Sequence, residues 1–106
     1  MKRTAYIINT ARGALIDEVA LYQALTERAI AGAALDVTDP EPPAPENPLL
    51  KLEQVIFTGH SAFNSETSNR ELQERSAQAI LAAFRGEWPP FVINPQVKEE
   101  KNCRIP

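Results

Sequence analysis

Tyr6-Ile7-Ile8-Asn9-Thr10-Ala11-Arg12-Gly13 is a short apolar run that stops on a polar step, an arginine and a glycine. A run of this length closed by a turn signal reads as a buried strand, spanning Ala5 to Asn9. Asp17 and the Leu21/Leu25 spacing then open a helix over Asp17 to Arg28, with acidic residues at its start and Arg28 at its end. Ile30 to Val37 reads as a second strand, small or apolar at every position but Asp36, as expected of a parallel strand covered on both faces. Strand, helix and strand within residues 5–37 make a βαβ unit. The first run therefore delivers Arg12 to the exit of a parallel strand, the edge at which open α/β sheets bind ligands.

Asp39-Pro40-Glu41-Pro42-Pro43-Ala44-Pro45-Glu46-Asn47-Pro48 follows, a proline-dense loop that should be stiff and surface-running. Val55 to Thr58 reads as a third strand, ending at Gly59-His60. Ser65 to Arg85 carries Leu72, Ala79, Ile80, Ala83 and Phe84 at helical spacing and stops at Gly86. Trp88 to Pro95 is extended and apolar, and residues 98–106 form a polar tail.

The bulk numbers narrow the function classes. At 106 residues the chain holds at most one domain of ordinary size. A hydrophobic fraction of 43% and a charged fraction of 24% are those of a globular protein, and a net charge of −3 gives no reason to expect a nucleic-acid or acidic-membrane partner. No apolar run reaches the roughly 18 residues of a membrane span. Cys103 is the only cysteine, which excludes an internal disulfide and fits a cytoplasmic setting. One histidine and one cysteine do not make a zinc site, so no metal is expected.

The three strands end near Arg12, near Asp36 with Glu41 five residues on, and at His60, the one histidine. A guanidinium grips a carboxylate by paired hydrogen bonds, an imidazole exchanges a proton near neutral pH, and a carboxylate orients that imidazole and favours its charged form. Each residue also has a plainer reading: Arg12 as a surface ion pair, Glu41 as a solvated charge, His60 as a structural ring, Asp36 as the cap of a neighbouring loop. The functional reading rests on their convergence at one sheet edge.

The ordered blocks Ile8-Asn9-Thr10-Ala11-Arg12-Gly13, Ala31-Gly32-Ala33-Ala34-Leu35-Asp36-Val37 with Pro40-Glu41-Pro42, and Thr58-Gly59-His60 resemble the later part of the D-isomer-specific 2-hydroxyacid dehydrogenases. The resemblance runs from Lys2 to Val97. It implies an α/β fold that is the second half of a Rossmann-like doubly wound parallel sheet, with a C-terminal helix and return segment: residues 1–97 as a partial NAD(P)-binding domain and 98–106 as the tail. By resemblance Arg12 binds the 2-oxo acid, His60 is the general acid/base and Glu41 its partner. By the same resemblance, Thr10, Ala11, Arg12, Asp36, His60, Ser61 and Ala62 are expected to lie along NAD or NADP. The implied partners are a 2-oxo or 2-hydroxy acid and, in the full-length protein, a second copy in a homodimer.

Gly59 stands where the family commonly has proline, and Ser61-Ala62-Phe63 where many members have paired glycines. His60-Ser61-Ala62-Phe63-Asn64-Ser65-Glu66 looks more like the branch that includes the C-terminal-binding-protein corepressors, so an NAD-sensing, protein-binding module is the alternative. No two glycines are separated by a single residue, so the G-x-G-x-x-G fingerprint is absent. The chain is therefore expected to be a fragment of the family's architecture, inactive alone.

Overall fold

A computed structural model of the chain describes residues 1–101, 103 and 105. Of the polar tail, residues 102, 104 and 106 lie outside the described residues. Two compact units are present, Met1–Phe63 and the stretch from Asn64 onward.

The first unit is a three-stranded parallel sheet in the order β1 (Tyr6–Asn9), β2 (Gly32–Leu35), β3 (Val55–Phe57), with helix α1 (Glu18–Thr26) between β1 and β2. Asn9 pairs with Leu35 and Leu35 with Phe57, so all three strands end level at one edge. The side chains of Leu21 and Leu25 on α1 and Ile30, Ala33, Leu35 and Leu49 form the buried core, with Ile7, Val55 and Phe57 packed against it.

The strand alternation explains where the sequence reading of β1 goes too far. Ile7 and Asn9 share the face that meets the core. Tyr6 and Ile8 are on the other, and Ile8 is 73% exposed. β1 is an edge strand, and the row Ile8, Ala34, Ile56 on that second face is not covered within the unit. The expectation for the central strand β2 fares better, with Gly32, Ala33 and Leu35 buried.

Helix α1 starts as expected, Asp17 Oδ1 accepting the N–H groups of Val19 at 2.9 Å and Ala20 at 3.0 Å. It ends at Thr26, two residues before the sequence reading placed it. Arg28 takes a left-handed conformation (φ 53°), and the N–H of Ala29 reaches back to the Ala24 carbonyl at 2.8 Å, a Schellman-type stop made without glycine.

In the second unit, α2 (Glu66–Phe84) is capped by Ser65, whose hydroxyl accepts the Ser68 N–H at 3.1 Å, and is stopped by Gly86 at φ 70°. The apolar stretch after it is partly engaged within the unit, with Arg75 over the Phe91 ring and Lys98 over the Trp88 ring. Among the described residues no helix is long and apolar enough to cross a membrane.

Candidate active site

Each strand passes at its carboxyl end into a turn or loop, and each of these is tied down by polar side chains. After β1 the tie is Asn9, which is 6% exposed. Its Oδ1 accepts the Ala11 N–H at 3.1 Å and its Nδ2 donates to the Arg12 carbonyl at 2.8 Å, so a single amide folds the Thr10–Arg12 turn. Arg12 leaves that turn extended and exposed, its Nη1 donating to the Ala11 carbonyl at 2.6 Å.

After β2 the chain runs through buried Asp36, Val37 and Thr38 into the proline loop. Gly13 admits this segment: a Cβ there would fall on the Thr38 carbonyl and 2.6 Å from the Asp39 nitrogen. Glu18, at the first turn of α1, closes the base of the loop. Its Oε1 accepts the Asp39 N–H at 3.2 Å and its Oε2 accepts from Asn47 Nδ2 at 2.7 Å.

After β3 the tie is Asp36. Its Oδ1 accepts from the Thr58 hydroxyl at 2.5 Å, the Ser61 N–H at 2.8 Å and the Ala62 N–H at 3.1 Å, and its main-chain carbonyl accepts the His60 N–H at 2.8 Å. These bonds hold His60 at φ 52°, a left-handed conformation that a non-glycine residue keeps only where its surroundings impose it. The Thr58 hydroxyl is the main reason the Asp36 carboxyl is held below its ordinary value. The Ser61 and Ala62 N–H groups and the charge of His60 act in the same direction, while desolvation opposes them.

His60 then meets Glu41 across the gap between the second and third of these segments, Nδ1 to Oε1 at 2.8 Å. An ionised carboxylate only accepts, so the Nδ1–H is the donor in this contact and Nε2 is the ring nitrogen left for another partner. Asp36, Thr38, Glu41, Pro42, Phe57 and Thr58 line a cavity of about 420 Å³ beside this pair.

Of the residues picked from the sequence, Glu41 and His60 are in direct contact and Asp36 lies beneath them. Arg12 stands on the same edge, with no hydrogen bond to either partner among the described residues. The N–H groups of Ala11, His60, Ser61 and Ala62 are all committed within the chain, so these residues shape the edge more than they offer donors to a ligand. Sequence reasoning missed Asn9, Glu18 and Thr58 as site-building residues. For Asn9 the available signal was a polar residue closing an apolar strand.

The family model for the D-isomer specific 2-hydroxyacid dehydrogenase NAD binding domain matches residues 1–62, more than half of the sequence. The chain belongs to the D-isomer specific 2-hydroxyacid dehydrogenases. A glyoxylate reductase of Korarchaeum cryptofilum is 47% identical over 97 residues, which is 92% of this chain and 29% of that protein. Among solved structures, an acyclic imino acid reductase in complex with NADPH and D-Arg aligns with a TM-score of 0.78 at 35% identity, covering 88% of this chain and 29% of that one. The NAD-complexed D-isomer specific 2-hydroxyacid dehydrogenase of Lactobacillus delbrueckii ssp. bulgaricus aligns at 0.72 and 37%, covering 89% and 33%. The chain thus spans about a third or less of the length of these relatives. The family match takes in the sheet edge just described, from Asn9 through Ala62.

Proposed function

We propose that this chain carries the proton-transfer half of an NAD(P)-dependent oxidoreductase that interconverts 2-oxo acids and D-2-hydroxy acids. The observation that carries the reading is the 2.8 Å contact between His60 Nδ1 and Glu41 Oε1 on the edge that also bears Arg12. Reduction of a 2-oxo group consumes one hydride and one proton. When bound, the reduced nicotinamide supplies the hydride, and His60 supplies the proton from Nε2. Glu41 fixes the ring by its bond to Nδ1 and stabilises the imidazolium that must form before the proton is given. Arg12 exchanges its bond to the Ala11 carbonyl for paired bonds to the substrate carboxylate.

The donor set also fits a nicotinamide. Asp36 Oδ1 accepts three bonds, whereas Oδ2 accepts only the Ala62 N–H at 3.1 Å, which leaves it acceptor capacity for a carboxamide NH₂ at the cavity. Thr10, Ala11, Ser61 and Ala62 would border the ring through side chains, carbonyls and shape. The chain alone is proposed to bind dinucleotide poorly, because its sequence has no glycine fingerprint to cradle the pyrophosphate.

The test is a chimera in which the matching 97 residues of the Korarchaeum cryptofilum glyoxylate reductase are replaced by those of this chain. Turnover of glyoxylate with NADH or NADPH is expected. A folded chimera that binds the dinucleotide but does not turn over would refute the proposal.

A further inference from the structure

The geometry points to Glu18 as the positioning residue for Glu41: by bonding both ends of the proline loop, it fixes the distance from which Glu41 reaches His60. This rests on the reading of Glu41 and His60 as the proton-exchanging pair. Glu41 is exposed and its carboxylate has one partner, His60, among the described residues. What places it is therefore the path of its backbone. That path leaves the sheet at Thr38 and comes back to the body of the unit at Asn47. Glu18 Oε1 takes the Asp39 N–H at 3.2 Å, and Oε2 takes Asn47 Nδ2 at 2.7 Å. One carboxylate thus closes a nine-residue span, Asp39 to Asn47, whose remaining torsions are restricted by Pro40, Pro42, Pro43 and Pro45, by the Thr38 hydroxyl donating to the Pro40 carbonyl at 2.9 Å and by the Asn47 N–H on the Ala44 carbonyl at 2.9 Å.

The opposite wall of the pair is fixed independently, by Asp36 on the His60 turn. With His60 set by one carboxylate and the loop by another, releasing Glu18 moves only one partner. Its half-buried position at the start of α1 suits this role, because the helix is anchored in the core by Leu21 and Leu25.

The experiment uses the 106-residue chain itself. His60 is its single histidine, so nitrogen-15 NMR of the imidazole gives one set of ring signals. Glu41→Ala defines where those signals lie once the contact with Glu41 is lost. Glu18→Ala removes both arms of the clasp. Asn47→Asp sets a carboxylate against Glu18 yet keeps the Asn47 oxygen that accepts the Leu49 N–H at 3.0 Å. Both variants are expected to shift the His60 Nδ1 signal from its wild-type position to the Glu41→Ala position. The double variant Glu18→Gln/Asn47→Asp rebuilds the clasp with donor and acceptor exchanged, and is expected to return the signal to the wild-type position.

Retention of the wild-type signal in either single variant overturns the inference, as does failure of the folded double variant to restore it. Should one single variant not fold, the other decides. If Glu41→Ala itself leaves the ring signals unmoved, the pairing beneath the proposed function is refuted, an outcome distinct from failure of the clasp alone.

Discussion

Asp36 holds His60 from behind: its carbonyl accepts the His60 N–H at 2.8 Å while its carboxylate gathers the two N–H groups that follow, Ser61 and Ala62. The ring that meets Glu41 is therefore mounted on the end of β2, the neighbouring strand, as much as on its own. This is a cross-strand device, and it makes the third turn sensitive to one charge.

That charge gives a pH dependence. The Asp36 carboxyl is held below its ordinary value of 3.8, chiefly by the Thr58 hydroxyl. A folded-state value below the unfolded one contributes stability that is present above the unfolded value and is lost as pH falls through the folded one. Urea unfolding should therefore show Asp36→Asn less stable than wild type at neutral pH, with the gap closing as the pH is taken below 3.8. Thr58→Val should reproduce part of the neutral-pH loss, and Thr58→Ser little of it.

Two glycines of the site edge should respond oppositely to a methyl group. At Gly13 the added Cβ meets main-chain atoms of Thr38 and Asp39, which cannot swing aside as a side chain would. Gly13→Ala should cost about 1–3 kcal/mol, as overpacking does. At Gly59 a Cβ meets nothing within 4 Å, so Gly59→Ala should be neutral or stabilise by up to about 1 kcal/mol through the unfolded chain. Thermal or urea unfolding of the two variants measures both.

Leu25 and Leu49 are the largest fully buried side chains, and they join α1 and the turn before β3 to the sheet. Leu25→Ala or Leu49→Ala should cost about 2–5 kcal/mol in chemical denaturation. Val19→Ala, on the 70% exposed side of the same helix, should stay within about 0.5 kcal/mol.

Titration of the 106-residue chain with NADH, followed by nicotinamide fluorescence, should show no saturable binding. Saturation by the isolated chain would mean that the pyrophosphate cradle is less important to affinity than the absent glycine fingerprint suggests.

The order of strands and helices was legible because local signals agree with the fold: Asp17 and Ser65 cap, Gly86 stops α2, and the apolar runs are short and bounded. The Glu41 and His60 pairing was legible as a convergence of strand ends. The end of α1 was not, because Arg28 adopts a conformation usually given to glycine. Nor was the exposure of Ile8, which depends on β1 being the edge strand and on one face of the unit having no helix of its own. Glu18 reads from sequence as a helix-terminus charge. Its contact with Asn47 joins residues 29 positions apart, and no local pattern announces such a bond.

The central claim is that His60 and Glu41 act as one proton-transferring unit. Its most direct test is the turnover number of the glyoxylate reductase chimera carrying His60→Gln, Glu41→Gln or both. The account predicts a loss of about 10²-fold or more for His60→Gln, and a double variant no slower than that single one, since the carboxylate acts only through the ring. Losses that multiply in the double variant, or a His60→Gln chimera that keeps its turnover, would contradict it.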